Sequence, residues 1–410
     1  MDDRRLRMTG AVPKRGFVFA LAATIATMLA ASAPSLFYPD LAESLDLTPV
    51  ATTLVFAVYA FTLLVTLLYL GPVSDRLGRR PVITIGSALL AASIVMFWHA
   101  GSLTALLVAR GLQGVGAGIV IPALSAMLID FEAPTRPGSA SLWNTIGPML
   151  GLGTGALGAA ILLDITADPA VAVFGGLSAV FLLLTVLIWT TPELVSRTRV
   201  RWAELRPRFM VPVHLRPLFA ASMPAIIAGW ATNGLFLALG AGLVRAELGG
   251  TTYTHAGVVI FTLAASGITA SVLLYRCSPR TISLYSTSAL ALGTGLSIGA
   301  LSVHSYPAYL ATVAIVGSGF GTAFLGVLRT LLPLTGSTER AAVMSVIYTV
   351  SYLAFGVPTI IVGLLVPLIT LQGAMIVLGI AVIILAALST VARARLKPQE
   401  QPDEDRTFGR

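Results

Sequence analysis

The sequence predicts an all-α membrane protein, with twelve transmembrane helices in two pseudo-symmetric six-helix bundles. Three observations lead there. Hydrophobic residues fill 56% of the 410 positions and charged residues only 11%, with a mean hydropathy of +0.89, whereas roughly a quarter of an ordinary soluble domain is charged. The apolar residues gather into twelve runs, each long enough at about 1.5 Å per residue to cross about 30 Å of hydrocarbon. The basic residues fall almost entirely in alternate gaps between those runs.

Helices are the expected form of each run, because lipid offers an unpaired backbone amide no partner. The runs of the first half are 17–38, 49–70, 81–98, 103–128, 138–163 and 171–190. Those of the second half are 217–243, 255–275, 282–303, 307–334, 341–366 and 370–391. The first run follows Arg4, Arg5, Arg7, Lys14 and Arg15 and contains a signal-like "ASA" at 31–33. It continues to Tyr38, past the length of a signal-peptide core, and is expected to remain as the first span. The chain thus divides into a bundle at 1–190, a basic linker at 191–216, a second bundle at 217–392 and a tail at 393–410.

Orientation follows from the bases, since short loops rich in Lys and Arg stay on the cytoplasmic side. Only Arg245 falls in an opposite loop, and only Arg110 and Arg329 fall within runs. The opposite loops carry Asp40, Glu43, Asp46, Asp164 and Asp168 instead. Both termini are expected to be cytoplasmic, in an inner (plasma) membrane. A formal net charge of +8 dealt out in this way serves topology and does not form a face for nucleic acid. Cys277 is the single cysteine, which leaves no intrachain disulfide and no thiolate pair for a metal.

The halves resemble each other. "ARGLQGVGAG" at 109–118 pairs with "VAIVGSGFGT" at 313–322, "APTRPGSA" at 133–140 with "GSTERAAV" at 336–343, and "SDRLGRR" with "YRCSPRT". Three similar displacements point to parallel duplication of a six-helix unit.

Between the second and third runs stands "GPVSDRLGRRPV", residues 71–82. Gly71 and Gly78 allow a sharp turn and a close neighbour. Asp75 suits a helix N-terminus, whose free amides and dipole favour an anion. The stretch is similar to the signature of the major facilitator superfamily between helices 2 and 3, which Gly71, Asp75, Arg76, Gly78, Arg79 and Arg80 match. "ARGLQGVGAG" resembles that superfamily's helix 4 signature through Arg110, Gln113, Gly114 and Gly116. Helix 5 resembles the drug:proton antiporter branch in part. Gly147, Pro148 and Gly151 fit a Gly-Pro-x-x-Gly core, while a register counted from Asp130 and Arg136 falls on "GTGALGAA" at 153–160.

The resemblance implies a twelve-helix carrier with a cytoplasmic gate. In it, Asp75 accepts from the N-terminus of helix 11, and Arg79 or Arg80 meets Asp130 or Glu132 at the end of helix 4. The loop copy "YRCSPRTIS" keeps Arg276 and Arg280 but neither glycine nor the acid, and is expected to anchor only. The resemblance also gives Arg110 a part in coupling transport to protons. The residues alone leave open a snorkelling Arg110 or one that satisfies carbonyls of helix 1. No Asp or Glu lies well inside any run, so Asp40, at the outer end of the first, is the expected carboxylate within reach of Arg110. His255 is a further group able to titrate near neutral pH.

A solute cavity is expected at the midplane between the bundles. Helix 7 offers Trp230, Asn233 and Phe236 at helical spacing. Helix 5 offers Trp143 and Asn144, helix 2 Tyr59, helix 4 Gln113, and helix 11 Tyr348, Tyr352 and Phe355. Aromatic rings with a few amides suit an amphipathic organic molecule better than a sugar. The expectation is a monomeric secondary carrier, partnered by a small-molecule solute, protons and the bilayer, and most consistent with proton-coupled efflux of drug-like compounds. An uptake carrier or facilitator for a metabolite or sugar stays open, as does a non-transporting receptor or assembly partner. No enzyme is expected: His99, His214, His255 and His304 are scattered, and no nucleotide or zinc spacing is present. No cofactor and no metal are expected.

Overall fold

A computed structural model describes residues 11–135, 138–196, 198–199, 206–207, 209–336 and 339–395. Arg4, Arg5, Arg7, Arg136, Arg197, Arg201, Arg208 and the tail beyond Arg395 lie outside these residues. The chain is a multi-pass membrane protein, helical throughout its long apolar segments.

The first crossing is compound. α1 (Ala11–Ser32) runs through a 3₁₀ turn (Ala33–Phe37) into α2 (Tyr38–Ser44). Pro34 and Pro39 each enter a first turn, where their missing N–H costs no helical hydrogen bond. The crossing therefore continues past the expected end at 38, through the 3₁₀ turn to Ser44. α3 (Pro49–Leu70), capped by Thr48, leads through the short α4 (Ser74–Leu77) to α5 (Arg79–Trp98). α6 (Leu103–Asp130), capped by Ser102, and α7 (Ser139–Ile165) follow, then a π turn (Val171–Gly175) into α8 (Gly176–Leu187).

The second half comprises α9 (Arg216–Glu247), α10 (Tyr253–Leu273), α11 (Pro279–Ser302), α12 (Tyr306–Leu331) and α13 (Arg340–Arg395). Eleven helical stretches among the described residues are long and apolar enough to cross a membrane, and α13, with 56 residues, crosses twice. Its helical geometry breaks at Ile369 and Thr370, where Thr370 takes a φ of 68°. The Thr370 hydroxyl then accepts the amide of Gly373 and restarts the helix. This break falls in the gap predicted between the last two runs, so twelve crossings result.

The duplication is visible in packing. Gly114 and Gly118 of α6 press on α3 while Gly116 presses on α5. Gly317 and Gly321 of α12 press on α10 while Gly319 presses on α11. The structural register thus pairs Gly114 with Gly317, one residue off the alignment read from sequence, and sets Arg110 opposite Val313.

The two halves meet along α3 with α13 and along α7 with α10. Gly363 lies against Pro49 and Thr53, and Gly356 against Ala60 and Phe61. Gly257 of α10 lies against Ala156 and Leu157 of α7. The face that holds Ala11 and Arg395 is called the terminal face below. Among the described residues, the hydrogen bonds that join the halves all lie at the opposite face. The molecule is closed there, and among the described residues no hydrogen bond joins the halves at the terminal face.

Candidate functional site

At the junction of α3, α9, α12 and α13 stands an aromatic cage around Trp230. Its ring centroid lies 5.2 Å from Tyr352, 5.7 Å from Phe355, 6.1 Å from Phe324 and 6.5 Å from Phe320. Tyr348 joins through Phe324 at 6.3 Å, and Phe56 joins from the first half, 4.9 Å from Phe355. Tilted and edge-to-face contacts of this kind suit rings with negative faces and positive edges. Trp230, Phe324 and Tyr348 are half-buried, whereas Tyr352, Phe355 and Tyr59 are buried. The cage is therefore wettest toward the terminal face and driest toward the closed end.

Arg110 sits at that closed end with no exposed surface. Its Nη1 donates to Gln113 Oε1 at 2.5 Å, and Gln113 Nε2 donates to the carbonyl of Ala30 at 2.8 Å. The guanidinium carbon lies 4.7 Å from the Tyr59 ring centroid and 5.9 Å from that of Tyr38. Arg110 Nε and Nη2 have no hydrogen-bond partner, nor has Trp230 Nε1. The guanidinium thus faces aromatic rings and an amide, with no carboxylate opposite it among the described residues.

The expected pairing of Asp40 with Arg110 does not occur. Asp40, in α2 beyond the 3₁₀ turn, faces the second half, where it accepts from Arg245 Nη1 at 3.3 Å and from Tyr253 Oη at 2.7 Å. Beside it, Asp164 at the end of α7 caps α10: it accepts the amides of Tyr253 at 2.9 Å and Thr254 at 2.8 Å, and the Thr254 hydroxyl at 2.5 Å. Two acids of the first half thus hold the second half at the closed face. His255 borders this cluster, paired with the Thr252 hydroxyl.

The hairpin at 71–80 is tied within its own half. Arg79 Nη1 reaches Asp75 at 2.5 Å and Ser74 at 2.6 Å, and its Nε reaches Asp130 at 3.1 Å. The expected Arg79–Asp130 contact is present. Asp75, in contrast, engages Arg79 rather than the start of α13, and its side chain is 59% exposed. Arg80 donates to the carbonyl of Thr191, and the Arg76 carbonyl accepts from Thr198 of the linker. Gly71 lies against Pro122. Gly78 takes a φ of 95°, and Glu193 fills the space where a Cβ would stand. Glu193 accepts the amides of Arg79 and Arg80 at 3.1 and 2.9 Å, so the linker caps α5. Glu132 accepts the amide of Ala140 at the start of α7. In the second half, Arg329 donates to the carbonyls of Tyr275 and Cys277, which fixes the degenerate loop instead of snorkelling.

The remaining expected cavity residues are dispersed. Asn233 is buried in α9. Phe236 stacks near Tyr309, 6.4 Å away, on a separate pocket within the second half that Thr294, Met375 and Val382 also line. Trp143 and Asn144 are half-buried on α7, and Asn144 donates to the carbonyl of Ser125. Gly147, Gly151 and Gly155 all face α1 at four-residue spacing, which lets the two helices approach closely. Sequence reasoning missed Phe56, Tyr38, Phe320 and Phe324 in the cage and Glu193, Arg245 and Tyr253 at the two faces. Phe320 and Phe324 carried a signal, four residues apart on one helix.

Residues 20–328 match the sequence profile of the Major Facilitator Superfamily. The chain is 38% identical to Multidrug resistance protein D of Escherichia coli (strain K12) over 80 residues, which is 20% of each chain. It is 25% identical to Multidrug resistance protein MdtL of Escherichia coli O139:H28 over 293 residues, 70% of this chain and 73% of the relative. Its fold is similar to that of a bacterial homologue of the human lysosomal transporter Spinster, solved in inward-facing occupied and unoccupied conformations. The TM-scores are 0.75 and 0.77 at 12% and 13% identity, covering 96% of this chain and all of that one. At that identity the likeness is one of fold alone.

Proposed function

The chain belongs to the Major Facilitator Superfamily, and from that premise we propose that it exports a small amphipathic organic solute by alternating access, in exchange for protons. The observation that carries this reading is the aromatic cage around Trp230, built from both halves, with the hydrogen bonds between the halves gathered at one face only among the described residues. The names of the multidrug resistance relatives support the solute class. The terminal face is the cytoplasmic one in this reading, supported by Arg76, Arg79, Arg80, Arg276 and Arg280 on that side, and the membrane is the inner one.

Proton coupling is assigned to the closed face. Asp40 is held by Arg245 of α9 and Tyr253 of α10, with Glu43 beside them. Release of Arg245 from Asp40 would loosen the seal. As the outer side opens, the terminal side closes, and Asp75 exchanges Arg79 for the N-terminus of α13, so the hairpin becomes the cytoplasmic gate. The protein acts as a monomer, because solute path and gates lie within one chain.

The test is accumulation of amphipathic fluorescent dyes in cells with and without the protein, repeated after the proton gradient is collapsed. Lower accumulation that rises on collapse is the expected result. Equal accumulation with and without the protein would overturn export, and loss of accumulation contrast without dependence on the gradient would overturn proton coupling.

A further inference from the structure

Deepening the export reading, on which it rests, we infer that the solute carries an anionic or strongly hydrogen-bond-accepting head, which Arg110 receives at the closed end of the cage while Trp230 and its neighbours hold the apolar body.

Burying a guanidinium without a counter-charge is costly, and chains that keep one generally pair it or use it. Arg110 has no exposed surface and no carboxylate partner among the described residues. Two acids of the closed face are committed elsewhere, Asp40 to Arg245 and Tyr253, and Asp164 to the start of α10. A water molecule can accept from Arg110 Nε and Nη2, but it brings no charge. Three of the unpaired polar atoms here, Arg110 Nε and Nη2 and Trp230 Nε1, can only donate, while the unpaired Tyr38 hydroxyl beside Arg110 can donate or accept. A cationic head would meet repulsion from the guanidinium, whereas a carboxylate, sulfonate or phenolate would accept from these three donors and supply the missing charge.

The geometry joins the two donors into one site. Tyr59 covers the guanidinium, 4.7 Å from it, and lies one turn along α3 from Phe56. Phe56 meets Phe355, and Tyr352 lies one turn along α13 from Phe355, on the same side as Tyr59. Tyr352 in turn meets Trp230 at 5.2 Å. Tyr59 thus stands between the cage and Arg110. The negative face of its ring takes the place of an anion in the empty carrier, and rotation of that ring uncovers the guanidinium to the solute. Transport is then electrogenic: a monoanion leaving against an entering proton carries two positive charges inward per cycle, so membrane voltage drives it as well as the pH gradient.

The experiment uses the full chain in proteoliposomes and three xanthene dyes that share a ring system: anionic fluorescein, a neutral fluorescein diether and a cationic rhodamine ester. The expected result is anionic transport about tenfold faster than cationic, accelerated by a potential negative on the dye-loaded side. Arg110→Gln is expected to lower the anionic rate about tenfold and the cationic rate by less than about twofold, with Arg110→Lys intermediate. Trp230→Phe, which keeps the ring face and removes the donor, is expected to lower the anionic rate a few-fold. Cationic preference or no preference in the unaltered protein overturns this proposal and leaves the carrier reading intact. An unchanged anionic preference in a folded Arg110→Gln overturns it as well. If Arg110→Gln does not fold, the charge preference of the unaltered protein decides. Failure to move any of the three dyes overturns the carrier reading and this one together.

Discussion

Asp164 closes α7 and accepts the backbone amide of Thr254 at the start of α10, so an acid of one half caps a helix of the other. A helix start leaves several amides unpaired, and a side-chain cap is worth about 1 kcal/mol. Asp164→Ala removes this cap only from the sealed conformation, since the contact crosses between the halves. The expected outcome is a shift of about fivefold toward the form open at that face. Spin labels placed on α7 and α10 near their junction would report it as a longer distance population.

Asp40 and Arg245 form an ion pair with 39% and 52% of their side chains exposed. Pairs so exposed contribute about 0 to 1 kcal/mol, so Asp40→Asn is expected to leave thermal stability nearly unchanged. Its effect falls on coupling. Solute flux in proteoliposomes should lose most of its response to an imposed pH gradient while keeping its rate without one. Full retention of the response would remove Asp40 from the coupling route.

Glu193 spans from the linker to the start of α5, where one carboxylate accepts two amides. Glu193→Ala leaves both without that acceptor and is expected to cost about 1 to 2 kcal/mol. Glu193→Gln, which keeps one acceptor oxygen, is expected to cost less. Thermal unfolding in detergent, following both variants, gives the order.

Gly155 packs its bare α-carbon against Leu29 and Ser32 of α1. Backbone atoms of Leu29 would meet any added side chain there, so Gly155→Val is expected to force the helices apart and cost about 1 to 3 kcal/mol. Gly158, with open space around it, accepts alanine at little cost. Comparing folded yield of Gly155→Val with Gly158→Ala tests the closeness of this contact.

Crossings were legible because lipid demands long apolar runs, and even the gap between 366 and 370 coincides with the break at Ile369 and Thr370. Arg110 was legible as a charge within such a run. Asp40 was not, because its direction depends on the 3₁₀ turn at Ala33–Phe37, and a tighter turn rotates every side chain beyond it relative to a continuous α-helix. Glu193 gave no signal at all: a lone acid in a basic linker has no period, and its task appears only when the chain returns to the start of α5. The cage was half legible. Its members on α9 and α13 share helical faces, but which faces meet is decided by packing between halves, and that also sent Phe236 to a different cavity.

Where the paired glycine helices superpose, Arg110 corresponds to Val313. The backbone has an approximate dyad, but its electric field has none. A passenger with a charged end therefore enters a polarised chamber and has one orientation in which to lie, head toward the first repeat and tail toward the second. Moving the ion across, with Arg110→Val and Val313→Arg together, would turn that passenger around.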